Sequence, residues 1–363
     1  MENIVERVND VQQESKYQIE IVAPKHRHMS NWDMFATWIG ANANNGTWYV
    51  GGVLAACGLL TALKVIVASS TLSYLCLSLV GFMGYKTGAA TMSLIRGSFG
   101  VRGSYVPSFV NLTQYIGWTA VNTFIAATSV SYLLHDLVGW PVYGKPGGAK
   151  GLILGIIVMS VLHLLSVSVG QRSVQMIERL GIILVILFVL WETVVVFQTV
   201  SVHDLLTWQA PTHLHMTAGA GMDTLAAFNL SWVTAGADFT RFTRKKSGAT
   251  GMPFLGAFTG LFWFAFIGLA ATISIAITSG TYDPNNSDPS TIASRLGLGV
   301  LALLVIVLTS MTANAVNLLA AGSALSNIFP RIRLRPALWA VTIIATLVTL
   351  IPLIMGSFLA ALT

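Results

Sequence analysis

Two apolar stretches of this chain carry amide and glycine residues where a helix embedded in lipid would be plain. The first is Trp38-Ile-Gly-Ala-Asn-Ala-Asn-Asn-Gly-Thr47, with three Asn in four residues; the second is Ala227-Phe-Asn-Leu-Ser-Trp-Val-Thr-Ala-Gly-Ala-Asp-Phe239. Unwound backbone at membrane depth is tolerated only where it lines a cavity, so two interrupted helices at matching places mark a transporter built from inverted repeats. The chemistry such segments offer is recognition through amide and hydroxyl edges. Asn42 either bonds a ligand or caps the broken helix. Asn229 and Trp232 stand in the second stretch, Trp232 as a candidate aromatic wall. Gln114 and Trp118 are four apart, so on a helix they share one face a turn apart. Asn314 and Asn317 are further amides inside an apolar run.

These residues need a bilayer-spanning scaffold to hold them. Of the 363 residues, 54% are hydrophobic and 9% charged, against roughly a quarter charged in soluble domains. The apolar runs are long enough to cross about 30 Å of hydrocarbon as helices. The pattern predicts spans at 32-58, 62-85, 105-134, 149-170, 174-199, 220-240, 252-278, 297-325 and 336-351, with a tenth beginning before Thr363 and cut short. The two unusual stretches then fall in the first and sixth spans. The expected fold is an all-α polytopic membrane protein with a 5+5 inverted repeat and broken first and sixth helices. Residues 1–31 form an amino-terminal arm, and 32–363 the transporter domain.

The net charge of +6 reflects orientation rather than a nucleic-acid partner, because 16 of the 20 basic residues lie in the arm and in alternate connections. By the positive-inside rule the arm and those connections are cytoplasmic. Cys57 and Cys76 sit singly in apolar segments and read as packing residues. Glu192, Asp238 and His163 are the main ionisable residues at membrane depth. Asp238, followed by Arg241 and Arg244, suggests an ion pair or gate; Glu192 reads as reaching the interface and His163 as a hydrogen-bonded packing residue. There is no Gly-x-x-x-x-Gly-Lys-Ser/Thr segment for phosphate binding, no His-Glu-x-x-His set for a metalloenzyme, and no filter or charged ring for a channel.

Further motifs carry a family resemblance. Gly84-Tyr-Lys-Thr-Gly88 with Leu94-Ile-Arg-Gly-Ser-Phe-Gly-Val-Arg-Gly-Ser104, Gln114-Tyr-Ile-Gly-Trp118, Ala237-Asp-Phe-Thr-Arg-Phe242 and Thr309-Ser-Met-Thr-Ala-Asn-Ala-Val-Asn317 occur in order. Together they resemble the nucleobase:cation symporter-1 family of cytosine, purine-cytosine, hydantoin and hydroxymethylpyrimidine transporters. The resemblance implies import of a cytosine-like or purine-like base with a cation across the inner or plasma membrane, with hydroxymethylpyrimidine, hydantoin or allantoin as alternatives. It implies that Trp118 stacks on the ring, and the spacing lets Gln114 reach the ring edge. It places Ser231 at a substrate contact. It implies a sodium site between the first and eighth spans, with backbone carbonyls near Trp38 and Ala41 and the hydroxyls of Thr309 and Thr312. Ala313 stands where relatives often bear a hydroxyl, so sodium and proton both stand as coupling ions.

Overall fold

The computed structural model describes residues 21–351 apart from 170, 285 and 286, without the side chains of 169–182 and 334. The predicted tenth span and most of the amino-terminal arm lie outside these residues.

The first span opens at a capping box in which Ser30 and Asp33 satisfy each other's backbone N–H groups, at 2.9 and 3.2 Å. It runs as α1 (Asn31–Asn42), breaks, and resumes as α2 (Asn45–Val53). The second span is α3 (Leu59–Thr87). A helix absent from the sequence reading, α4 (Thr91–Gly103), lies in the basic connection and kinks at Gly100 (φ 71°). The third to fifth spans are α5 (Tyr105–Val138), α6 (Ala149–Val169) and α7 (Gln171–Thr199). After a short α8 (Val202–Thr207), the sixth span comes as α9 (Ala218–Val233) and α10 (Gly236–Thr240). Then follow α11 (Lys246–Ala249), α12 (Gly251–Ser279), α13 (Pro289–Arg295), α14 (Gly299–Ile328) and α15 (Leu334–Val348). Among the described residues, a helix or a broken pair of helices thus occupies each of the nine expected spans.

The helices at Leu59–Thr87, Ala149–Ser168, Lys246–Ser279 and Gly299–Ile328 are long and apolar enough to cross a membrane. Their outward faces carry large apolar side chains, as at Leu72, Leu75 and Leu79 of α3, each more than half exposed. Cys76 is exposed on that same helix, not packed inside as its apolar surroundings suggested; Cys57 is buried. A surface of this kind on consecutive helices fits hydrocarbon rather than water.

Both halves of the first span rest on α12 through small residues. A Cβ at Gly256 or Gly260 would stand 2.5 Å from Phe35 O or 2.7 Å from Ile39 O, against α1. One at Gly268 would stand 2.1 Å from Trp48 O, and one at Gly51 of α2 2.2 Å from Ala265 O. Glycines four apart let helix backbones touch, which in lipid is the main means of association.

The basic end of the bundle is laced together. His28 N and Met29 N donate to Phe242 O, both at 3.0 Å, and Arg244 N donates to Met29 O at 3.0 Å, so the arm pairs with the segment after the sixth span. Asn31 and Ser247 bond at 2.9 Å, and the Arg27 guanidinium lies 5.0 Å from the centre of the Tyr85 ring.

Candidate substrate and cation sites

The break in the first span is sharp. Asn44 is fully extended (φ −137°, ψ 168°), its Oδ1 caps α2 by accepting from Thr47 N at 3.0 Å, and its Nδ2 donates to Ala41 O. The Asn44 amide therefore closes the gap the helix leaves, bonding on both sides of the break. Asn45 anchors the restart to the eighth span, donating to Ile306 O (2.9 Å) and Ser310 Oγ (2.7 Å). The break in the sixth span is milder, with Thr234 and Ala235 near helical dihedrals. Asn229, Ser231 and Trp232 thus lie on the intact helix before it. The bend frees Ser231 O, which accepts from Gln114 Nε2 (3.1 Å), Tyr115 Oη (2.9 Å) and Thr234 Oγ1 (2.6 Å).

Four of the expected substrate residues meet here. The amide nitrogen of Gln114 serves Asn111, Ser231 and Thr234, leaving its carbonyl oxygen as the end without a bond among the described residues. Trp118, one turn on and half-buried, stands edge-on to Phe228 at 4.8 Å and 89°. Trp232 is buried with its Nε1 unpartnered among the described residues, edge-on to Trp38 (6.4 Å, 89°), and Trp38 is edge-on to Phe239 at 5.9 Å. These rings plug the basic-end side of the break. Ser231 contributes its carbonyl; its hydroxyl donates back to Phe228 O at 2.6 Å.

Asn122, which the sequence reading passed over, completes this face. It lies four residues after Trp118, its Nδ2 donates to Trp118 O at 3.1 Å, and its buried Oδ1 has no partner among the described residues. That oxygen would stand 3.7 Å from a Cβ at Gly46, beside Asn44 Oδ1 and Phe228. Gln114, Trp118 and Asn122 therefore form a polar-aromatic-polar stripe facing the break, a pattern visible in the sequence as a repeat of four.

The other amides lie elsewhere. Asn42 and Asn229 are joined by Tyr74 of the second span, whose hydroxyl is 2.6 Å from Asn42 Oδ1 and 3.1 Å from Asn229 Oδ1. Asn42 Nδ2 donates to Trp38 O at 3.1 Å and Asn229 Nδ2 to Ser70 Oγ at 3.4 Å, and both residues are wholly buried. They knit the broken helices rather than present free edges. Tyr74→Phe, which orphans two buried amide oxygens, is expected to cost about 1–3 kcal/mol; thermal unfolding in detergent measures it, and an unchanged midpoint would contradict the bridging role. Asn314 donates to Thr119 O (3.2 Å) and Thr123 Oγ1 (3.1 Å) and lies 3.2 Å from His163 Nε2, while Asn317 donates to Asn314 Oδ1 at 3.2 Å. This second network joins the third, fourth and eighth spans, with His163 hydrogen-bonded as expected.

The four positions expected to bind sodium do not form an oxygen cage. The carbonyls of Trp38 and Ala41 already accept the amides of Asn42 and Asn44. Thr309 Oγ1 is drawn to Asn45 Oδ1 (3.2 Å) and back to Val305 O (2.7 Å), and Thr312 Oγ1 to Thr309 O (2.9 Å). Only Thr312 of the four lines the cavity of about 170 Å³ beside the break, whose walls, including Ile39, Val189, Trp263 and Phe264, are apolar. Among the described residues no three His, Cys, Asp or Glu gather at one point.

At the basic end, the Asp238 carboxylate accepts from Ser323 Oγ of the eighth span and, at 3.3 Å, from Thr91 N at the start of α4. Arg241 Nε donates to the backbone oxygen of Asp238 at 3.2 Å; burial pushes Arg241 below the ordinary guanidinium range against the pull of Asp238. Glu192 differs from its sequence reading: it is wholly buried, with neither carboxylate oxygen partnered among the described residues.

A family described as permease for cytosine/purines, uracil, thiamine and allantoin matches residues 21–361. The chain belongs to this permease family. An allantoin permease of Bacillus subtilis is 27% identical over 179 residues, 46% of this chain and 36% of that protein. A purine-uracil permease of Arabidopsis thaliana is 26% identical over 336 residues, 85% of this chain and 53% of that protein. The permease thus spans roughly a third to a half of these relatives' lengths. An inward-facing structure of Mhp1 superposes with a TM-score of 0.74 at 15% identity, over 94% of this chain and 74% of that one. Mhp1 closed around bromovinylhydantoin, described as a nucleobase-cation-symport-1 family transporter, superposes at 0.72 and 14%, over 90% and 73%. The permease accordingly has the 5+5 leucine-transporter fold with broken first and sixth helices. It is a multi-pass membrane protein and not an enzyme.

Proposed function

We propose that this permease imports a cytosine- or purine-type base together with a cation, by rocking of helix bundles around the break in the first span. The observation that carries the reading is the face of α5, where Trp118 offers a ring to stack on and Gln114 and Asn122 offer carbonyl oxygens to the N–H edge of a flat heterocycle. Unpaired amide oxygens in a largely dry site favour ligands that bring N–H donors, and reject those that lack them. Cytosine, adenine and uracil all do. A ureide ring such as hydantoin or allantoin is the second reading: it too presents N–H groups along a flat edge, and the similar proteins include an allantoin permease and a structure with a hydantoin bound. Hydroxymethylpyrimidine carries its N–H donors on one exocyclic amino group and has no ring N–H, and it ranks behind both.

In this reading the basic end faces the cytoplasm and the protein sits in the inner or plasma membrane, with the aromatic plug of Trp38, Trp232 and Phe239 closing the cytoplasmic path. Residues 1–31 are the cytoplasmic arm and 32–363 the transporter domain. The coupling cation is sodium, held near Trp38, Ala41, Thr309 and Thr312 after rearrangement, or a proton. Uptake of labelled cytosine into cells, in sodium and sodium-free buffer and against excess adenine, hypoxanthine, uracil, allantoin and hydroxymethylpyrimidine, tests the reading. Cytosine uptake suppressed by a purine is the expected outcome. Accumulation of allantoin alone would move the permease to the ureide reading, and no uptake of any of the set would overturn both.

A further inference from the structure

The helix α7 turns one clean face to the protein. Val185, Phe188, Val189, Glu192 and Val196 are buried, while Ile186, Leu187, Leu190, Trp191 and Val194 between them are exposed. Among the described residues Glu192 is the one polar member of that buried face, about 10 Å from the far end of the helix at 1.5 Å per residue. Its neighbours among the described residues supply no counter-charge. The helices packed against α7 are α12 and α14, which carry no titratable residue, α6 with Lys150 and His163, and α1 with Asp33. Lys150 is exposed, His163 lies against Asn314, and Asp33 caps its own helix. On adjoining elements, Tyr49 lies in the field of Asp288 and Asp283, Asp288 accepts from the backbone of Ser290 and Thr291, and Arg295 is exposed. A bare carboxylate in such surroundings is far costlier than a protonated one.

Other buried polar atoms without partners lie between the far-end loop and Phe188, one turn before Glu192. Ser287 Oγ, Thr272 Oγ1 and Trp48 Nε1 are all unbonded among the described residues. A Cβ at Gly52 would stand 2.7 Å from both Ser287 Cβ and Thr272 Oγ1. One at Gly268, a turn before Thr272, would stand 2.3 Å from Trp48 Cδ1, next to the indole N–H. The Phe188 ring, one turn before Glu192, lies 5.5 Å from that indole.

We propose that Glu192 is a proton-binding site: its carboxyl holds one proton in the packed state seen here and releases it to water when the far end of the bundle opens. Only O–H bonds change, with hydronium donating to a carboxylate oxygen and water later accepting the proton. The role of coupling cation rests on the transport reading above; the bound proton itself does not.

Infrared spectroscopy of the substrate-free protein in lipid reads the proton directly. At neutral pH the wild type is expected to show the carbonyl band of a protonated carboxyl, shifted by deuterium exchange, and E192Q to lack it. E192D retains a carboxyl and keeps the comparison usable should E192Q not fold. In proteoliposomes an inward proton gradient is expected to raise accumulation of labelled cytosine several-fold in the wild type and to leave E192Q, a mimic of the protonated state, unresponsive. A band unchanged by the substitutions overturns the proton site. A band that disappears while wild-type uptake follows sodium and ignores the proton gradient overturns the coupling. No uptake of cytosine, adenine, uracil or allantoin by the wild type sinks the transport reading instead, and the infrared result alone then decides the proton site.

Discussion

Trp118→Ala is expected to weaken binding of the transported base roughly 5- to 150-fold, the equivalent of the 1–3 kcal/mol that a stacked base loses with its aromatic partner. The indole is half-buried, packed at the margin of the core and perpendicular to Phe228 at 4.8 Å, so its removal should disturb the fold less than loss of a wholly buried ring. Trp118→Phe should recover most of the affinity, since a smaller ring still stacks. Equilibrium binding of labelled cytosine to the purified protein, beside a thermal melt, separates the two effects. Equal affinity in the wild type and Trp118→Ala would mean that the indole merely packs against Phe228, and the candidate site would have to move away from the third span.

Gly268→Ala is expected to be among the most damaging single-methyl changes in the bundle. On an unhindered helix the substitution stabilises by up to about 1 kcal/mol through helix propensity. Here the added carbon would lie 2.1 Å from the backbone oxygen of Trp48, and a backbone cannot turn aside as a side chain does. Overpacking of this kind costs about 1–3 kcal/mol even where neighbours can adjust, and Gly51→Ala, 2.2 Å from Ala265 O, should behave alike. Gly117→Ala, with nothing within 4 Å of its Cβ, is the control. Monodisperse yield and melting temperature in detergent measure all three; a Gly268→Ala protein as stable as the control would show that α2 and α12 are free to slide apart.

How much of this was legible beforehand differs by level. The spans could be read because each is an apolar run longer than any soluble helix needs, and the break in the first span because three amides in four residues have no place in plain lipid-facing helix. The break in the sixth was placed in the right stretch, but its bend at Thr234–Ala235 leaves no compositional mark beyond small residues. Helix α4 was missed because an amphipathic, Gly-interrupted sequence in a basic connection looks like a loop. Among the site residues, helical spacing was enough to pair Gln114 with Trp118, and extending it one turn would have reached Asn122. It could not tell which amides point inward: Asn42 and Asn229 are turned to Tyr74, a residue with no signal in a local window because its partners lie 32 and 155 positions away. Glu192 was misjudged for the same reason. Depth along a helix can be counted from the sequence, but which face looks inward depends on the neighbours.

The pairing of the arm with the segment after the sixth span has a mechanical meaning. Met29 and Asn31 stand at the root of α1, and Phe242, Arg244 and Ser247 just beyond α10, so the bonds between them splice the basic ends of the two broken spans into a single yoke. Neither half-helix can swing alone. Any torque applied at one break is delivered to the other, and the polar hold of Asp238 on Ser323 and Thr91 becomes the catch that such a yoke must slip before it can turn.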